Sequence, residues 1–284
     1  MKRRQLLLTL SSLPLLHRAQ AAASPVRLVS IGGALTELVY ALDAQSLLVG
    51  VDTTSLYPAA ARSLPNVGYA RTLSAEGLLS LRPTLIIATE DAGPTAVLRQ
   101  VEAAHVPLHT LRAEHRFEGL LERTRQLGEL LDRRPAATAL ADQFSARWRT
   151  TQQQVAKASA GHAAPRVLFI LSHAAGQVRI AGQNTAADAV IRYAGAVNAL
   201  QDVDGYKPLT PEAVIATAPD AILTTDMSLD AGGGIDGILK LPGIAQTPAG
   251  RARRVVSQDA LELLGFGPRL PQSVARLAQA LHPA

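Results

Sequence analysis

Short, almost wholly apolar runs alternate along the chain with longer segments whose apolar residues recur every three to four positions. Val26–Ile31, Leu47–Val51, Thr84–Ala88 and Val106–Leu111 have the length of strands. Between them, Gly32-Gly33 opens a helical stretch near Ala34–Leu42, and Pro94–Ala104 reads as a helix. Strands alternating with helices predict βαβ units and a parallel sheet. The second half restarts the pattern at Arg166–Leu171.

One unit occurs twice. Leu73-Ser74-Ala75-Glu76, four further residues, then Leu81-Arg82-Pro83-Thr84-Leu85-Ile86-Ile87 aligns without gaps to Leu209-Thr210-Pro211-Glu212, Ala213–Ala216, and Thr217-Ala218-Pro219-Asp220-Ala221-Ile222-Leu223. Each copy reads as a hydroxyl N-cap, a short helix, a proline that ends it and a buried strand. Two copies in matching places predict two similar lobes.

Between the halves, residues 117–160 hold only Gly119 and Gly128 and are rich in Leu, Ala, Arg, Gln and Glu. Pro135 divides this stretch, because the residue before a proline avoids the helical region. A helix over about 117–132 and a longer one over 136–159 are expected, the second with Leu140, Phe144, Trp148 and Val155 on one stripe. At 1.5 Å per residue that helix is about 36 Å long, enough to join two lobes. The fold expected is therefore α/β, with two Rossmann-like lobes built on parallel sheets and joined by one long helix. The divisions are 24–135, 136–160 and 161–284, with little lobe movement and a largely pre-formed cleft.

The first 23 residues stand apart. Lys2, Arg3 and Arg4 precede an apolar run from Leu6 to Leu16, and Ala19-Gln20-Ala21 supplies a small-x-small cleavage pattern. The run is shorter than the roughly 20 residues of a membrane span, so an export signal is expected. That segment holds four cations and no acid. Of the chain's 28 Lys+Arg and 23 Asp+Glu, 24 and 23 remain, a nearly neutral balance that argues against a nucleic-acid partner. No cysteine is present, hence neither a disulfide nor a lipidated cysteine. An untethered periplasmic protein is the expectation.

In open parallel sheets, ligands bind beyond the carboxyl ends of the strands. Tyr69 lies four residues before the first repeat, Tyr206 three before the second, and His173 follows the first strand of the second lobe; Arg71 and Lys207 stand close behind the tyrosines. Phenolate is a hard donor and an axial ligand of haem iron. A free phenol ionises near pH 10, and a ferric ion or a neighbouring cation stabilises its anion. Propionates pair with guanidinium or ammonium groups. From spacing alone, two readings of each Gly-Tyr stand: a metal-binding phenol, or a turn whose ring packs on the lobe. His173 is equally a ligand or a polar loop residue.

The segments Val67-Gly68-Tyr69-x-Arg71-x-Leu73-Ser74-x-Glu76-Gly77 with Arg82-Pro83-Thr84, Ala181-Gly182-Gln183-Asn184-Thr185-Ala186-Ala187-Asp188, Gly205–Glu212 and Gly265-Phe266-Gly267-Pro268-Arg269 resemble the haem-binding proteins of bacterial ABC importers. The likeness runs over about residues 26–282, and the wider class includes cobalamin- and siderophore-binding proteins. It implies a non-catalytic carrier for iron acquisition. Ferric haem b is the transported ligand, with Tyr69 as axial ligand beside Arg71, His173 as a second ligand where two haems stack, and Tyr206 and Lys207 lining the cleft. It also implies that Glu76 and Glu212, otherwise readable as carboxylates at helix N-termini, meet arginines of an inner-membrane permease dimer. An outer-membrane haem receptor would act upstream.

No Gly-x-Ser-x-Gly, phosphate-binding loop or His-Glu-x-x-His motif occurs. Gly232-Gly233-Gly234 reads as a flexible surface loop, and His105, His109 and His115 as unconnected histidines rather than a zinc site. The competing classes are a ferric-siderophore or cobalamin carrier, a periplasmic tetrapyrrole chelatase, and a haem chaperone with no permease partner.

Overall fold

Leu28–Ile31 (β1) and Leu85–Ala88 (β3) are buried throughout, as continuous apolar runs must be when helices cover both faces of a parallel sheet. In the computed structural model, which describes residues 25–172 and 178–282, they form the centre of a four-stranded sheet. Leu48–Val51 (β2) lies on one side and Leu108–Thr110 (β4) on the other, in the order β2-β1-β3-β4 and all parallel. β4 is an edge strand, which is why His109 and Thr110 are exposed there. Helices Gly33–Ala41 (α1), Ala75–Ser80 (α2), Thr95–Ala103 (α3) and Phe117–Leu130 (α4) complete this lobe.

The second sheet departs from the expectation. Arg166–Ser172 (β5) pairs in parallel with Ala221–Thr225 (β9), and β9 with Val255–Gln258 (β10). Val197–Asn198 (β7) runs parallel to the start of β5. Val178–Ala181 (β6) and Tyr206–Pro208 (β8), however, extend the sheet antiparallel. Residues 173–177 between β5 and β6 are too few for the crossover of a dozen or more that a parallel neighbour requires. Helices Arg134–Ser159 (α5), Ala186–Tyr193 (α6) and Pro211–Thr217 (α7) precede or pack on this sheet.

The repeat is real at the level of the backbone. Ser74 Oγ accepts from the Gly77 amide and Thr210 Oγ1 from the Ala213 amide, each at 3.3 Å, so α2 and α7 start with the same cap. Leu78 and Val214 are fully buried at equivalent places. Both units then turn through a left-handed residue immediately before the proline, Arg82 (φ 46°) and Ala218 (φ 40°).

α5 begins two residues before the expected position, at Arg134, with Pro135 inside its first turn, where its lack of an N–H costs nothing. Its 26 residues span about 39 Å. Trp148 on its buried stripe stacks on Phe117 of α4 (4.7 Å between rings) and meets the edge of Tyr193 of α6 (4.8 Å), whose hydroxyl accepts from the Phe117 amide. The largest apolar cluster thus runs through both lobes, while a smaller one lies under the outer face of each sheet.

Charged groups lock the same junction. Arg269, at the start of helix Leu270–Leu281, donates to both oxygens of Glu37 on α1 (2.6–3.1 Å) and to Glu262 at 2.8 Å, and its guanidinium covers the Tyr57 ring at 4.3 Å. Arg123 of α4 donates to Glu90, to Leu111 O and to Gly265 O. Gly265-Phe266-Gly267-Pro268-Arg269 is therefore a junction segment: Gly267 lies against Ala34, so closely that an added Cβ would stand 3.1 Å from the Ala34 Cβ. Gly232-Gly233-Gly234 is not a loose loop but a left-handed link (φ 83° and 74° at the last two) between two short helices, Asp226–Ala231 and Gly234–Leu239.

Candidate ligand cleft

The carboxyl ends of β1, β2 and β3 carry the residues that shape the N-terminal wall. Asp52, buried after β2, accepts from the Gly32 amide, from the Thr54 amide and hydroxyl, and from the Ser55 hydroxyl, so two strand exits are tied together. The Thr53 amide donates to Gly68 O and the Gly68 amide to Asn66 Oδ1. These bonds place the Gly68-Tyr69 turn beside the end of β2. Gly68 has φ 95°, in the region that favours glycine, which accounts for the residue preceding the tyrosine.

Tyr69 is 41% exposed, so part of its ring stays open to the cleft. Arg71 sits over it, 6.0 Å from guanidinium carbon to ring centroid. Arg71 Nε and Nη2 donate to Asp91 Oδ2 at 3.0 and 2.8 Å, and Thr89 Oγ1 donates to Asp91 Oδ1 at 2.7 Å. Burial alone works to lower the Arg71 pKa, but the bonds and charge of Asp91 outweigh it and the net displacement is upward. For Asp91 burial acts upward and is overcome by the bonds from Thr89 and Arg71, leaving its carboxyl below the usual range. The pair is ionised at neutral pH.

Arg71 is also within electrostatic reach of Tyr206, so the two tyrosine segments converge across the cleft. Tyr206 is held differently. It lies on β8, its ring edge-on to Phe169 at 6.5 Å, and burial pushes its phenol up against the opposing pull of Arg71 and Arg179. The Ala181–Asp188 motif braces this strand: the Gly182 amide donates to Gly205 O, the Gln183 amide to Val203 O and the Gly205 amide to Gln183 O, and the Asn184 side-chain amide donates to Asp204.

Two sequence-level groupings change. The pleat puts neighbouring residues of a strand on opposite faces, so Lys207 leaves the face that carries Tyr206 and lies opposite buried Ile180. Arg179, absent from the sequence-based set, occupies Tyr206's face and donates to its carbonyl at 2.7 Å. Its signal was weak: one cation in a four-residue strand. His173 lies outside the described residues. Glu76 and Glu212 are exposed in the first turns of α2 and α7, one on each lobe. Among the described residues, no three His, Cys, Asp or Glu side chains converge as metal ligands. His115 instead packs on Phe266, and burial lowers its pKa.

The exposed large apolar side chains add to the picture. Leu56 (46%) and Tyr57 (50%) follow β2 and Met227 (66%) follows β9, at carboxyl ends, where Tyr69 also stands, whereas Val26, Ile215 and Ile235 are exposed elsewhere. Apolar surface left open at a polar-rimmed edge marks a binding site.

Known proteins share this fold. Over 90% of its length, the chain superposes with a TM-score of 0.85 and 50% identity on 98% of the periplasmic heme-binding protein BhuT, solved in complex with two hemes. The periplasmic heme-binding protein RhuT from Roseiflexus sp. RS-1 matches at 0.86 and 40% identity (90% of this chain, 98% of that one). A periplasmic heme-binding protein from Pseudomonas aeruginosa matches at 0.85 and 42% (92% and 94%). Among curated relatives, an uncharacterized ABC transporter substrate-binding lipoprotein of Bacillus subtilis is 26% identical over 91% of this chain and 81% of its own, and a vitamin B12-binding protein of Pectobacterium atrosepticum 27% over 72% of each. No helix among the described residues is long and apolar enough to cross a membrane. Residues 28–260 match the periplasmic binding protein family, and the chain belongs to it.

Proposed function

We propose that this protein captures ferric haem in the cleft between its lobes and delivers it to an inner-membrane ABC permease. The observation that carries the proposal is the exposed Tyr69 phenol with the Arg71 guanidinium beside it, at the carboxyl edge of the first sheet. Ferric iron binds phenolate, and a nearby cation favours the ionised form. The iron ligand is Tyr69. Tyr206 stays a neutral phenol and, with the open apolar side chains of Leu56, Tyr57 and Met227, faces the macrocycle. Arg71 and Arg179 face its anionic groups. Lys207 serves the outer face of β8 rather than the cleft. The likeness to three haem-binding proteins at 40–50% identity supports haem over the cobalamin of the more distant relatives.

Docking falls to Glu76 and Glu212, which the repeat places on equivalent helices of the two lobes, suiting a permease with two subunits. Residues 1–23 direct export to the periplasm and are removed there.

Adding hemin to the purified mature protein is expected to give the visible spectrum of high-spin, tyrosinate-ligated ferric haem. Tyr69→Phe should lose that signature and bind roughly 100-fold more weakly, as when a charged contact of about 2–3 kcal/mol is removed. A wild-type protein that ignores hemin but takes up a corrinoid or ferric siderophore would overturn the proposal. A second equivalent with a different spectrum, lost in His173→Ala, would assign that histidine to a second haem.

A further inference from the structure

We propose that Asp91 limits the affinity of the cleft: it positions Arg71 beside Tyr69 and, by offsetting that guanidinium's charge, weakens the hold on ferric haem so that the ligand can be released. The inference rests on the haem reading above.

The geometry is specific. Arg71 has five N–H donors in a rigid fork, and Nε and Nη2 spend one each on the same Asp91 oxygen. The remaining donors stay available to a ligand. The carboxylate cannot swing aside freely, because its other oxygen is bonded to Thr89 at the end of β3. Any anion recruited by Arg71, whether the Tyr69 phenolate on iron or a propionate, therefore meets a cation whose field is largely cancelled by a carboxylate 2.8 Å away. The pair is half exposed in the open cleft and worth little there. A seated ligand excludes water and strengthens every charge interaction beneath it, the unfavourable one with Asp91 included. The contrast with Arg179 is informative. Arg179 bonds a backbone carbonyl, and no carboxylate among the described residues forms an ion pair with it, so its charge acts undiminished.

Asp91→Asn keeps the shape and one acceptor oxygen and removes the charge. Hemin titrations followed by visible absorption, with off-rates from transfer to excess apomyoglobin, should show about three- to tenfold tighter binding and correspondingly slower release. The tyrosinate spectrum should be unchanged, and the difference should shrink as salt is raised. In an Arg71→Ala background the same substitution should still tighten binding, because the carboxylate's repulsion of the ligand's anionic groups remains. Equal or weaker binding by Asp91→Asn, or a gain that does not shrink with salt, would overturn the inference while leaving the haem reading intact. Failure of the wild-type protein to take up hemin would remove both.

Discussion

Leu78 in the first lobe and Val214 in the second hold the same place in the same unit, each fully buried between a hydroxyl cap and a left-handed residue. The tyrosines ahead of these units do not share a role. Tyr69 stands on a loop fixed by backbone bonds, with its ring open. Tyr206 stands on a strand, edge-on to Phe169, with a phenol that burial keeps protonated. The scaffold is thus duplicated where it packs and divergent at the tyrosines that precede each copy. A repeat in sequence therefore transfers structure from one half to the other, but not chemistry.

The strongest way to test the shared part is in the cores. Leu78→Ala and Val214→Ala should each destabilise the protein by about 2–4 kcal/mol in chemical denaturation, since both leave a cavity under a helix of the same unit. A loss under 1 kcal/mol at either site would break the equivalence. Charge reversal probes the outer surface. Glu76→Arg and Glu212→Arg should each cut stimulation of the permease ATPase by at least roughly tenfold, because like charges across an interface cost several kcal/mol. Hemin titrations of both variants should match wild type, and unaffected stimulation would remove the docking assignment. The smallest effect should come from the divergent part. Tyr206→Phe, unlike Tyr69→Phe, should keep the tyrosinate spectrum and weaken hemin binding by no more than about fivefold, the scale of one neutral hydrogen bond. A lost spectrum would reverse the roles of the two phenols.

What could be read from the sequence was local. The inner strands announced themselves as apolar runs because both their faces are covered, and the repeat was visible because cap, proline and strand lie within sixteen residues. The mixed second sheet was hidden by a connection whose consequence depends on pairing rather than composition. Arg71 could be noticed from its neighbour Tyr69, but Asp91 lies twenty residues on and joins it only through the fold. The bond from Arg269 to Glu37 spans 232 positions, so the glycine-rich segment that carries Arg269 could be noticed but not explained. Lys207 stands on the face opposite Tyr206 for an elementary reason: closeness in sequence means opposite faces in a strand.

The closing helix, Leu270–Leu281, packs along α5, and the Thr151 hydroxyl donates to Pro271 O, while Arg254 holds Leu281 O and His282 reaches Ala194 O. The stripe of α5 that this helix covers is made more than a hundred residues earlier in synthesis. A ribosome that has released only the first lobe and α5 has therefore produced a helix with one apolar flank still waiting for its cover. The central layer can be sealed only once a helix made more than a hundred residues after α5 has been translated, so burial of that stripe is a late event in the life of the chain.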